Sequence, residues 1–177
     1  MAGQDLPCPL PLGAMPRVAL TPEDQASFEL SFTPNVELIS MVRQFVQSFY
    51  EQILKDPDVT SRLGVAAHEL LENAVKFSID GVTHIRVDVR KMDGGGHEVT
   101  ICTRNRAAET NLDALRCLMD ELRGVNDPFG YYQTLMRRSL KRTDGSGLGL
   151  GRVRAEADMA LDYRIEGNLV HLQATGR

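Results

Sequence analysis

The stretch from about Val59 to Ser78 constrains this chain most, because it carries two helical patterns at once. Leu63, Ala67, Leu70, Ala74 and Phe77 recur at steps of four and three, the spacing of one buried helical face. Glu69, Asn73 and Lys76 recur at the same steps on the adjacent strip, so their side chains lie one above another. Glu, Asn and Lys at that spacing also make an ordinary solvated face with an i,i+4 pair. Chemically the strip offers what a metal–phosphate complex needs. An amide oxygen suits a hard cation that keeps its waters, a carboxylate can orient or deprotonate a water, and an ammonium meets phosphate. His68-Glu69 does not open a zinc helix, since Glu72 stands where that motif needs a second His.

A second feature lies near the C-terminus. Asp144-Gly-Ser-Gly147-Leu148-Gly149-Leu150-Gly151 alternates glycine with small or apolar residues, directly before a helix expected from Arg152 to about Ala160. Glycine lets backbone N–H groups approach an anion, and a helix N-terminus adds partial positive charge. The alternative is a plain flexible turn. No Gly-Lys-Ser/Thr follows, so this is not a Walker loop, and no βαβ unit follows to make it a Rossmann fingerprint.

The rest of the chain supplies the frame. Residues 1–22 hold Pro7, Pro9, Pro11 and Pro16 and read as an extended tail, without the features of a signal peptide. Residues 23–177 read as one domain. Ala26–Phe32 alternates as a half-buried strand. Asn35 can cap a helix through Leu38, Val42, Phe45, Phe49 and Ile53. Thr83–Met92 and the run through Val99 and Ile101 form a hairpin about Asp93-Gly94-Gly95-Gly96, ending near Thr103-Arg104-Asn105. Thr110 can cap a helix that buries Leu112, Leu115, Leu118 and Leu122. Asp127-Pro128 starts another, with Phe129, Tyr132, Met136 and Leu140 inward. Its last turn gathers Arg137, Arg138, Lys141 and Arg142, cations suited to a helix C-terminus or to phosphate. A closing hairpin turns at Glu166-Gly167-Asn168. The expected fold is α/β (α+β): a two-layer sandwich with a mixed, mostly antiparallel sheet and helices on one face.

Composition narrows the function classes. The 177 residues carry a net charge of −4, which argues against broad binding of nucleic acid or anionic membrane. No apolar run is long enough for a membrane span. Cys8, Cys102 and Cys117 are odd in number and widely spaced. They suggest no disulfide framework, so a reducing cytoplasm is the simplest setting.

Two stretches, in this order, resemble the Bergerat-fold (GHKL) ATPases, the superfamily of gyrase, MutL and histidine-kinase catalytic domains. Glu69-Leu-Leu-Glu-Asn73-Ala-Val-Lys76-Phe is similar to the family's N box, and Asp144-Gly-Ser-Gly147-Leu-Gly149-Leu-Gly to its second glycine box. The resemblance implies ATP and Mg²⁺ as cofactors. Asn73 would ligate Mg²⁺, Glu69 would be the base or water-orienting carboxylate, and Lys76 would face phosphate. Gly145, Gly147, Gly149 and the N–H groups around Leu148 and Leu150 would hold the phosphates. The segment from about 106 to 144 would be a lid over the nucleotide.

One box departs from the pattern. The family ends its central strand with an Asp that reads the adenine amino group. Here the strand ends Ile101-Cys-Thr103-Arg-Asn105-Arg, where Thr103 or Asn105 could supply a neutral acceptor. A single domain of this length is most like the stand-alone anti-sigma-factor kinases. That implies a protein partner, an antagonist or a sigma-factor-like regulator, and leaves a homodimer open. Two functions stand: a Mg·ATP-dependent serine protein kinase, or a docking module that keeps the fold without turnover.

Overall fold

A computed structural model describes residues 25–33, 36–139 and 147–177. Along the chain come β1 (Gln25–Phe32), α1 (Val36–Leu54), α2 (Pro57–Phe77), β2 (Thr83–Lys91), β3 (His97–Arg106), α3 (Glu109–Arg123), α4 (Pro128–Ser139), α5 (Leu148–Ala155), β4 (Ala160–Glu166) and β5 (Leu169–Gly176). The tail at 1–22, the Asn35 cap, Leu140, Lys141, Arg142 and Gly145 lie outside the described residues.

Local turn chemistry sets the sheet. Met92 donates its N–H to the Gly96 carbonyl between β2 and β3, and Gly167 turns β4 into β5 at φ +59°. The two hairpins join edge to edge through β3 and β5, and β1 adds to β2. The order is β1-β2-β3-β5-β4, with every neighbouring pair antiparallel. The expected two-layer α+β sandwich is therefore present, and its sheet is antiparallel throughout rather than mixed.

Alternation sends Ile85, Val87 and Val89 of β2, Val99 and Ile101 of β3, and Leu172 and Ala174 of β5 to one face. There they share a core with Ile39, Val46 and Tyr50 of α1, Leu63, Leu70 and Leu71 of α2, Met119 and Leu122 of α3, and Val153 of α5. Thr103 and Asn105 fall on this same helix-covered face, at the end of β3. The opposite face carries polar side chains such as Arg86, Asp88, Arg104 and Gln173.

Helix α2 starts two residues before Val59. The Asp56 carboxylate accepts the N–H groups of Asp58 and Val59, and Pro57 occupies the first turn. Asp56-Pro57 therefore caps this helix as well as ending the one before it. Leu63, Ala67, Leu70 and Ala74 are buried as expected.

Helix α1 turns differently from its expected stripe. Ile39, Val42, Val46, Tyr50 and Leu54 face the core, whereas Phe45, Phe49 and Ile53 are exposed. Two apolar stripes run side by side here and share Val42. The Tyr50 hydroxyl settles the rotation by donating to the Val87 carbonyl at 2.8 Å. Phe45 instead packs between Phe28 and Phe49, with centroids 4.8 and 5.6 Å away.

Three further expectations are corrected. Ala108, not Thr110, is the N-cap of α3, with no side-chain cap bond; Met119 is buried there, while Leu115 and Leu118 are half-buried. In α4 the Asp127 carboxylate does accept the Gly130 N–H, at 3.0 Å, but Phe129 and Met136 are exposed and Leu135 is buried with Tyr132. Helix α5 begins at Leu148, inside the glycine run, and ends at Ala155. Gly149 and Gly151 are therefore helical residues.

Candidate functional site

Asn73 of α2 stands between two cavities. The first, about 100 Å³, is mostly apolar. Its walls include Phe77 of α2, Thr103 and Asn105 of β3, Leu115 and Leu118 of α3, and Leu150 of α5. The second, about 300 Å³, is polar. It is bounded by His68, Glu69, Glu72 and Lys76 of α2, Tyr132 of α4, and Leu148, Gly149 and Arg152 of α5. Asn73 belongs to both walls. The helical repeat that stacks Glu69, Asn73 and Lys76 thus brings them to one polar cavity, beside the glycine segment.

Asn73 donates its amide N–H to the Glu69 carbonyl one turn back, at 2.9 Å. That bond uses the donor side of the amide and turns Oδ1 away as an acceptor. Mg²⁺ keeps several waters and takes one or two protein oxygens plus phosphate oxygens. Asn73 Oδ1 fits such a cation. Among the described residues no group of three or more His, Cys, Asp or Glu could hold a metal, so phosphate and water would have to supply the other ligands.

Glu69 is buried, and its carboxylate is already engaged. Arg152 donates to Glu69 Oε1 at 3.0 Å and to Glu156 Oε2 at 2.7 Å. The Glu156 bond first, with Glu69 adding to it, holds the Arg152 guanidinium above its usual pKa. Tyr132 stands on the same wall, and burial raises its phenol pKa, with Glu156 pushing the same way. Arg152 and Tyr132 were not legible as site residues. Arg152 looked like an ordinary residue opening a helix, and Tyr132 like a core residue.

The glycines have two separate reasons. Gly147 sits at φ +92° as the cap of α5, a backbone region that side chains resist. A Cβ on Gly149 would lie 2.6 Å from Glu69 Oε2, so a larger residue there would displace the Glu69 carboxylate from its place against α5. The first intrahelical bond of α5 runs from the Gly151 N–H to the Gly147 carbonyl, at 3.1 Å. The N–H groups of Leu148, Gly149 and Leu150 precede it and form the donor end of the helix.

At the end of β3, Thr103 and Asn105 are buried and line the apolar cavity, which has no carboxylate among its described lining residues. Asn105 donates its side-chain N–H to the Arg106 carbonyl at 3.3 Å, leaving its oxygen as an acceptor.

No protein-family profile matches the chain, and no curated protein matches it in sequence. Among solved structures, a chain of the SiaB–SiaC complex from Pseudomonas aeruginosa is similar in fold, with a TM-score of 0.57 at 10% identity. The match covers 84% of this chain and 88% of that one. Among the described residues no helix is long and apolar enough to cross a membrane.

Proposed function

We propose that this protein is a Bergerat-type (GHKL) signalling regulator that binds Mg·ATP and acts through a protein partner. The carrying observation is the pairing of an apolar cavity with a polar one across Asn73. A nucleotide has that form: a flat, weakly polar base joined to a chain of anions. The base would enter between Thr103, Leu115 and Leu150. The phosphates would meet Lys76, Arg152 and the donor end of α5, with Mg²⁺ on Asn73 Oδ1. When bound, the cation neutralises phosphate charge and orients the terminal group for in-line displacement. The solved neighbour belongs to a two-protein complex, which supports partner docking as the mode of action.

In the kinase form of this reading, Glu69 accepts the proton of a partner's serine hydroxyl. The hydroxyl oxygen forms its bond to the terminal phosphorus, the bond to the bridging oxygen breaks, and ADP leaves. Glu69→Gln would then keep nucleotide binding and abolish transfer. A second reading has an observation of its own. Glu69 already accepts a bond from Arg152, so one carboxylate oxygen is taken before any hydroxyl arrives. That favours a docking module without turnover.

The test is thermal melting with a non-hydrolysable ATP analogue, with and without Mg²⁺. A ligand that binds only the folded state stabilises it by about 2.7 kcal/mol at one hundred times its dissociation constant. A Mg²⁺-dependent rise in Tm is expected. No rise at millimolar nucleotide refutes the nucleotide reading and leaves the docking module.

A further inference from the structure

Arg152, on the polar cavity wall, ties α5 to α2 through a charge pair with Glu69. It has five N–H donors, of which two serve Glu69 and Glu156, so five less two leaves three. The side chain is 39% exposed, whereas that of Glu69 is 10% exposed. The guanidinium therefore has more room to turn than the buried carboxylate it is paired with. The wall also carries Glu72 beside Glu69. A polyphosphate entering there meets two carboxylates as well as Lys76, so a second cation that turns from carboxylate to phosphate favours its entry.

We infer that Arg152 is a polyphosphate-selecting switch: it exchanges Glu69 for a phosphate oxygen, and that exchange releases the Glu69 carboxylate. The inference rests on the reading that polyphosphate enters the polar cavity. Planar guanidinium suits bidentate contact with phosphate, and Glu156 retains its bond to Nε throughout. Base release is thereby coupled to ligand arrival. Glu69 is released from Arg152 only when phosphate is present to occupy the guanidinium. The pairing of Glu69 then regulates turnover instead of precluding it.

The experiment titrates Mg²⁺ and inorganic tripolyphosphate, and separately adenosine, into the full chain by calorimetry. Wild type, Arg152→Met, Arg152→Lys, Glu69→Gln and the Arg152→Met/Glu69→Gln double variant are compared. Arg152→Met is expected to weaken tripolyphosphate at least about tenfold, with Arg152→Lys intermediate. Adenosine affinity stays within about twofold in both. Glu69→Gln is expected to tighten tripolyphosphate several-fold in the wild-type background, by freeing Arg152, and to do much less when Arg152 is Met. Equal effects of Glu69→Gln in both backgrounds overturn the switch, as does tripolyphosphate binding that is absent in wild type or indifferent to Arg152. A parallel loss of adenosine and tripolyphosphate in both Arg152 variants marks a structural role and also overturns it. Tripolyphosphate binding that depends on Arg152, with no adenosine binding, upholds the switch and refutes the nucleotide reading alone.

Discussion

His84 on the open face of the sheet is held below its ordinary pKa. Burial is the main cause, the Arg104 charge adds to it, and Glu29 and Asp80 oppose it. Its Nδ1 meets the Ser31 hydroxyl across the β1–β2 pair. The depressed value means that the unfolded chain binds a proton at a pH where the folded chain does not. By linkage, stability is full above the unfolded value near 6.5 and falls as pH drops through it toward the folded value. His84→Gln removes that dependence. Urea midpoints measured from pH 7.5 to 5 are expected to fall less steeply for His84→Gln than for wild type. Identical slopes would show that this imidazole titrates alike in both states.

Caps and close approaches carry the predictions at the scale of the element. Asp56 accepts two backbone N–H groups at the start of α2, so Asp56→Ala should cost about 0.5–2 kcal/mol in urea unfolding. Thr110 lies inside α3 without a cap bond, and Thr110→Ala should stay within about 0.5 kcal/mol. Equal costs at the two positions would put the α2 cap in error. Gly149 tests the contact between α5 and α2. In an exposed loop, alanine there would be harmless. In this helix its Cβ meets Glu69 Oε2 at 2.6 Å, and overpacking of this kind costs about 1–3 kcal/mol. Helix propensity returns only about 1 kcal/mol. A net loss of Tm is expected for Gly149→Ala, together with altered tripolyphosphate binding. A stabilised variant would mean that the Glu69 carboxylate gives way to the added methyl at little cost.

For the whole molecule, the proposed nucleotide site makes the end of β3 the place where base selectivity would be set. A buried carboxylate facing the adenine amino group repels the guanine carbonyl. Thr103 and Asn105 are both buried on that wall and provide no such charge. A neutral hydrogen bond contributes roughly 0.5–1.5 kcal/mol, against about 1.5–3 for one to a charged group. Since about 1.4 kcal/mol is tenfold in affinity, ATP is expected to bind at high-micromolar affinity or weaker, with GTP within about tenfold. Of Thr103→Asp and Asn105→Asp, one should tighten ATP and widen the gap to GTP. Tight, strongly ATP-selective binding by the wild type would place base recognition on another residue.

Periodicity in the chain determined the elements and most of their buried faces, because burial on one side imposes a period of two on strands and near 3.6 on helices. Leu63, Ala67, Leu70 and Ala74 needed nothing more to be placed in the core, and the stacking of Glu69, Asn73 and Lys76 follows from the helix alone. Periodicity could not choose between the two stripes of α1, since both are apolar. Only the sheet did so, by offering the Val87 carbonyl to Tyr50. Nor could it show that α5 starts within the glycine run, because glycine reads as loop until a neighbour crowds the position, as Glu69 does at Gly149. The partnership of Arg152 with Glu69 spans 83 positions. No local pattern encodes such a pair; it exists because α5 docks on α2 with glycine at the contact.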